Sequence, residues 1–454
     1  MTTMPAYNRI TTRRGRNRFH PDFTSRVLTV LPDFPFPATT GLHLRMTGNL
    51  QLVRRLGCFS SVLYFSTEAS TEERRSVANN TTVLAEFCDE IRHAGQRIPR
   101  EKFSTAALLG YKADFLLRGM LGMVSRRYPF SMSYDCMEAE ELIAAEAEWV
   151  EADFVILPSV FMHYAIRLRA LGFGVILDAP DVLTQLTASF LKNFTGRGGK
   201  LGLWANHVAC NTQQRVSIPR CTELWATSSA EAAQFRQIAP GTPTVVVPNC
   251  FNEEQIRPAT QCNEPVIGFI GTYSYAPNLQ AAQFLAERVF PQVLDKCPAA
   301  VLKIAGPDIP LDTFARLQRM KNVEVLGKVE DSGRFMAECS VLALPLFVRG
   351  GVPLKLVEAM ARGKAVVATP ELAQNLAVTD GEDLLIRAGA NVFSEAIVRL
   401  LRDGRLRQRL GVNARATFLR EFSLSRAESN LRRDSVLAGS LEATLLNPKM
   451  SYSA

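Results

Sequence analysis

Apolar positions along this chain gather into short continuous runs, separated by longer stretches with helical spacing. In the first half the runs are Arg26–Leu31, Ser61–Phe65, Phe154–Pro158, Val175–Leu177, Glu223–Thr227 and Thr244–Pro248. In the second half they are Val266–Ile270, Ala300–Ala305, Val323–Leu326, Val341–Leu346, Ala365–Ala368 and Asp383–Ile386. A run that is apolar at nearly every position suits a parallel strand covered on both faces. Strand alternating with helix predicts parallel sheets with helices on either side. The two sets meet at "NCFNEEQIRPATQCNE" (Asn249–Glu264), a polar, proline-containing stretch with the composition of a domain boundary. The expected fold class is therefore α/β, with two doubly wound domains facing a cleft. The boundaries read as a basic, disordered arm over 1–22, domains over 23–250 and 264–430, and a helix or tail over 431–454.

The richest stretch chemically is Ser340–Pro370, "SVLALPLFVRGGVPLKLVEAMARGKAVVATP". It reads as a buried strand, a glycine loop, a short helix and a second buried strand. Gly350 and Gly351 let the backbone turn sharply and approach a ligand, and Pro353 sits where a helix start favours proline. The free amides of such a first turn attract anions at the edge where open α/β sheets bind ligands. Lys355 and Glu358 are three apart and so are neighbours on one helix face. They admit two readings: a diphosphate and sugar-hydroxyl site, or a structural ion pair with each other.

This stretch resembles the donor-binding segment of the retaining, GT-B-fold glycosyltransferases of family four ("glycosyl transferases group 1"), with the pattern G-x-x-x-K-x-x-E-A-x-x-x-G-x-P-V-V-x-T. The resemblance extends in order through "VIGFIGTYSYAPNLQAAQFL", "VLKIAGPDIP", "VEVLGKVED", "AECSVLALPL" and "DGEDLLIRAGANVFSEAIVRLL". It implies two Rossmann-like domains, with the donor bound in the second and the acceptor in the first. It implies that Lys355 binds the donor diphosphate and Glu358 the ribose. Gly268, Gly271 and Thr272 would line the phosphate side, although Gly271 could serve only a turn. Lys328 and Val329 fall in the base-binding loop, and Arg349, Gly350 and Gly351 add to diphosphate binding. The chain departs from the pattern at Gly350, where the family often has a sugar-contacting Glu, and at Thr272, where it often has Arg. Leaving-group stabilisation then leans on Arg349 or Arg45. Asn278 is read as a helix N-cap.

On the acceptor side, Gly41, His43 and Arg45 belong to the first strand–helix loop, and Asp178 and Asp181 follow a strand end. His163 follows "FVILP" and is either an acceptor-orienting group, counted with Lys355 and Arg349 as catalytic, or a packed residue among "FMHYA". The family's metal-independent chemistry implies no cofactor, and no D-x-D motif clustered with a His is apparent. Two other readings stay open: a nucleotide-sugar epimerase on the same fold, and a non-catalytic homologue acting as a binding partner.

The 454-residue chain carries a net charge of +8. Residues 1–130 hold 19 basic against 10 acidic residues, so the excess lies wholly in the first third. Basic charge of that kind suits anionic lipid or phosphorylated substrates. With no nucleic-acid module signature, no nucleic-acid partner is expected. The segment Glu101–Phe130, apolar with Lys112, Arg118, Arg126 and Arg127 interspersed, is either a helix resting on a membrane surface or a core helix with a basic rim. The expected partners are a nucleotide-sugar donor, a saccharide or lipid-linked acceptor, and peripherally an anionic membrane. Nine scattered cysteines without a C-x-x-C pair fit reduced thiols. No apolar run spans a bilayer, and no secretory leader is read. The expected place is the cytoplasm, with peripheral contact at the inner membrane face.

Overall fold

The computed structural model describes residues 25–36, 41–67, 81–97, 104–123, 134, 139–193, 200–260, 262–348, 352–374 and 376–438. The chain forms two compact units, one from residues up to Val247 together with those from Ala427 onward, the other from Pro248–Arg426.

The first unit holds a seven-stranded sheet. Its strands are β1 (Arg26–Leu31), β2 (Phe59–Thr67), β3 (Glu90–Arg97), β4 (Phe154–Pro158), β5 (Gly174–Ala179), β6 (Glu223–Ala226) and β7 (Thr244–Val246). They lie in the order β3-β2-β1-β4-β5-β6-β7, every neighbouring pair parallel. The second unit holds β8 (Val266–Ile270), β9 (Val301–Ala305), β10 (Val323–Gly327), β11 (Val341–Leu344), β12 (Ala365–Ala368) and β13 (Leu385–Ile386). These run β10-β9-β8-β11-β12-β13, again all parallel. Each sheet reverses its winding once, between β1 and β4 and between β8 and β11, and such switch points are where doubly wound sheets bind ligands.

The α/β architecture and the position of every anticipated strand agree with the sequence. β11 and β12, fully buried as "VLAL" and "AVVA", show why: parallel strands sandwiched between helix layers must be apolar on both faces. β3 was not anticipated. Its sequence, "EIRHAGQR", is charged because it is an edge strand, where polar side chains meet solvent and discourage further pairing. Its register against β2 also slips between Tyr64 and Phe65, at Gly95, whose φ of 128° glycine alone adopts readily.

Two boundaries differ from the sequence reading. Asn249–Glu264 does not hang free between domains: Ala259 N donates to Arg362 O, and Phe251 pairs with Phe422 and Leu424 within the second unit. The chain then returns to the first unit at Ala427. There the carboxylate of Glu223, fully buried on β6, accepts from Ser435 Oγ at 2.6 Å, Val436 N at 2.6 Å and Trp225 Nε1 at 2.7 Å. Asn430 Nδ2 donates to Val246 O, and Arg432 Nη2 to Arg55 O. Three hydrogen bonds offset the cost of burying that carboxylate.

The helix Thr105–Met120 is not a core helix. Only Phe115 and Gly119 are buried along it. Gly119 is needed because a Cβ there would lie 2.5 Å from Ala209 of the neighbouring helix Lys200–Ser217. Leu109, Leu117, Met120, Leu121 and Met123 are all at least half exposed, as are Leu201 and Trp204 on that neighbour. The arm over 1–22, Arg126, Arg127 and the residues beyond 438 lie outside the described residues. No helix among the described residues is long and apolar enough to cross a membrane. The eight described cysteines are all free.

Candidate functional site

The best-built cluster sits at the C-terminal edge of the second sheet, at the switch point between β8 and β11. The turn after β8 brings Gly271 and Thr272 there, and the helix Leu354–Ala361 after β11 brings Lys355. Lys355 is half-buried, its Nζ donating to Asn278 Oδ1 at 2.7 Å and lying 4.8 Å from the centroid of the Phe269 ring. Asn278 Nδ2 in turn donates to Thr272 O at 2.8 Å. Burial pushes the lysine pKa down to about 7, because the charged form loses hydration that no carboxylate replaces.

The glycines here are dictated by close approach. A Cβ on Gly271 would lie 2.8 Å from both Lys355 Nζ and Asn278 Cγ. A Cβ on Gly306, after β9, would sit 1.8 Å from Gly271 O, and its φ of 134° is itself a glycine conformation. Gly306 N donates to Gly327 O, so the turns after β8, β9 and β10 brace one another. Gly271 therefore serves both the turn and the lysine.

Glu358 is buried on the same helix but does not pair with Lys355, which overturns the structural-pair reading. Its Oε1 accepts from Ser332 Oγ at 2.8 Å and from Arg362 Nε at 3.0 Å, one helical turn on. Lys328 is exposed and Val329 half-buried in the loop after β10, on the same sheet edge. Gly268 needs correction: it is mid-strand and buried, and a Cβ there would lie 2.4 Å from Cys339 Sγ and 3.0 Å from Leu342 Cδ2, so it makes room for the turn into β11 and for β11 itself rather than for a phosphate. Asn278 is not an N-cap either. Tyr275 caps that helix, and Asn278 instead ties lysine to turn. Arg349, Gly350 and Gly351 lie outside the described residues.

The acceptor-side residues come out differently. Arg45 and Asp178, 5% and 8% exposed, bind each other: Nη2 reaches Oδ1 at 2.5 Å and Nε reaches it at 2.9 Å. Arg45 Nη1 also donates to Val247 O, and Asn49 Nδ2 donates to Asp178 Oδ2. Their hydrogen-bonding capacity is spent inside the first unit, so neither acceptor binding nor help to a leaving group falls to Arg45. His163 is 4% exposed in the short 3₁₀ helix Ser159–Tyr164, its ring 4.1 Å from that of Tyr164. That is the packed residue of the two readings. Gly41 is exposed at the start of the helix Gly41–Arg55, His43 is half-buried on it, and Asp181 is half-buried after β5.

Sequence reading missed three partners. Arg362 stands four residues after Glu358, a spacing that signals an ion pair on any helix. Ser332 and Asn249 gave no signal, since their contacts are non-local; Asn249 Nδ2 donates to Val352 O, just ahead of the lysine helix. In the first unit "SSAE" is a capping box, with Ser228 Oγ accepting from Glu231 N. Burial pushes the Glu231 carboxyl up to about 7, with Asp181 adding to the rise.

Both units are doubly wound α/β sheets, and the lysine cluster lies at the switch point of the second. Residues 264–403, which lie within the second unit, match the model of the family "Glycosyl transferases group 1". Among solved structures, the chain is similar to a sucrose-phosphate synthase from Thermosynechococcus elongatus (TM-score 0.64, 14% identity, 93% of this chain and 100% of that one). It is similar to Anabaena HepE, solved in complex with UDP-glucose (0.57, 15%, 92% and 100%). TarM gives 0.65 at 11% identity, over 92% and 100%. These likenesses establish the fold, two Rossmann-like domains of the GT-B type. No curated protein matches the chain in sequence.

Proposed function

We propose that this chain transfers a sugar from a nucleotide-sugar donor to an acceptor hydroxyl with retention of anomeric configuration, in the assembly of a polysaccharide, glycolipid or surface glycan. The observation that carries this reading is the lysine at the switch point, with Nζ held by Asn278 against the Gly271 turn. In transfer, the bond from the anomeric carbon to the diphosphate oxygen breaks through an oxocarbenium-like state. The acceptor oxygen bonds to that carbon, and its proton passes to the departing phosphate. Negative charge grows on that phosphate, and a fixed cation with few waters to displace stabilises it well. Lys355, held over the Gly271 turn by Asn278, supplies that field, Glu358 is available to ribose hydroxyls, and the loop at Lys328 and Val329 meets the base. This chemistry asks for no resident metal. The group 1 family match supports the reading, as does the UDP-glucose complex of HepE.

The test is a thermal-shift and calorimetric panel of UDP, GDP, ADP and their sugar conjugates. A ligand that binds only the native state raises Tm by mass action. One base is expected to stand out, and a well-folded protein that responds to none would overturn the reading.

The acceptor we propose is lipid-linked. The helices Thr105–Met120 and Lys200–Ser217 expose a run of Leu, Met and Trp side chains with the cations Lys112 and Arg118 among them, as an interfacial helix does. The chain is expected to float with phosphatidylglycerol vesicles at low salt and less at high salt. Leu117→Glu should abolish flotation; equal recovery with neutral vesicles would remove the membrane from the proposal.

A further inference from the structure

The N-terminal edge of the second sheet, opposite the lysine site, buries two cations beside each other. Lys364 immediately precedes β12 and is 4% exposed. Among the described residues its ammonium makes no hydrogen bond and no ion pair. Arg407, on the helix Gly404–Glu421, is 8% exposed and donates to Leu400 O at 2.7 Å, Leu401 O at 3.0 Å and Asn263 Oδ1 at 3.4 Å. With Ala259, Cys262, Ser340 and Ala365 they line a depression of about 250 Å³, measured to include its open mouth.

Among the described residues neither Lys364 nor Arg407 forms an ion pair with a carboxylate. The Ser340 hydroxyl is committed to the carbonyls of Cys262 and Glu264. The Cys262 thiol donates to the carbonyls of Glu264 and Glu338. Burial pushes the nearby Cys339 thiol up to about 12, so it is neutral at physiological pH. Burial pushes the Lys364 amine down; the neighbouring Cys339 and Cys262 sulfurs offset part of that fall, and the charge of Arg407 adds a smaller push in the same direction as burial. An ammonium taken out of water without a counter-charge is costly, and a neighbouring guanidinium adds to that cost. An oxyanion in the depression would reverse both effects at once, since it accepts from the ammonium and screens one cation from the other.

We propose that this depression is a binding site for a small oxyanion of phosphate size, held by Lys364 with Arg407 as the second positive charge. It is separate from the Lys355 site, at the other end of the strands. Its occupant would brace the turn Arg362–Lys364, which ends the helix bearing Lys355 and Glu358 and packs through Gly363 against Gly411. Occupancy therefore reads out as stability of the second unit.

The experiment is thermal unfolding of the full chain in millimolar sodium phosphate, with ionic strength held constant by sodium chloride. A saturable rise in Tm is expected for the wild type and for Lys355→Ala, and none for Lys364→Met. A rise lost in Lys355→Ala but kept in Lys364→Met assigns the phosphate to the donor site and overturns the proposal. Equal rises in all three chains overturn it as well. Should Lys364→Met not fold, amine labelling of the wild type read by mass spectrometry takes its place. Phosphate is then expected to slow modification of Lys364 several-fold more than that of other lysines, and unchanged labelling of Lys364 overturns the site.

Discussion

Lys355→Ala is expected to weaken nucleoside-diphosphate binding by about 10- to 100-fold, the worth of one charge-assisted hydrogen bond at roughly 1.5–3 kcal/mol. The loss should also change its shape with pH. In the free protein burial holds this lysine down at about 7, so the cation the diphosphate needs is present below pH 7 and fades above it. A bound diphosphate favours the charged form and pulls the pKa back up. Binding near pH 8 should therefore take up a proton, measurable by calorimetry in buffers of different ionisation enthalpy. Affinity should fall as pH rises above 7, and Lys355→Met should abolish both signatures. The stability linkage has a definite sign. The folded pKa lies below the unfolded value, so between about 7 and 10.5 the unfolded chain holds more protons, and this group's contribution makes the fold more stable as pH rises. Diphosphate binding that is flat in pH and indifferent to Lys355→Ala would mean that the phosphates sit elsewhere.

The second large effect is on the fold. Arg45→Ala should destabilise the first unit by about 3–5 kcal/mol, because Asp178 and its bond from Asn49 would be left buried without the guanidinium. Its thermal transition should fall by on the order of 10 °C. The double replacement Arg45→Met with Asp178→Leu should recover most of that loss, since apolar groups of similar volume carry no desolvation cost. A different outcome would restore the acceptor reading of these residues: normal Tm in Arg45→Ala with a raised KM for acceptor. The same melts, scanned across pH, carry a contribution from Glu231. Its folded pKa is raised to about 7, so its contribution is stabilising below the unfolded carboxyl value and is lost as pH climbs through 7.

These two cases mark what the sequence makes legible. A parallel strand such as "FVILP" announces itself because burial on both faces leaves no choice of residue type. The lysine site is legible for a similar reason, since Gly271, Lys355 and Glu358 lie on elements whose order the strand pattern already fixes. What a side chain does once there is not legible when its partner is remote. Arg45 and Asp178 are 133 positions apart, and each looks like a free polar group at a strand end. Asn278 looks like a cap because caps are local, whereas its partner Lys355 is 77 residues away. β3 escaped notice because an edge strand must look like a loop to stay soluble.

The return of the chain to Glu223 has a consequence for biosynthesis. The unit made first cannot be completed first, because Ser435 and Val436 leave the ribosome only after the whole second unit has been translated. At roughly 5–20 residues per second that delay is on the order of 10–40 s. Throughout it Glu223 sits in a nascent chain without Ser435 and Val436, a natural point for chaperones to hold on. A stop codon near Ala427 would therefore leave the second unit whole and injure the first, most of which is encoded far upstream of it.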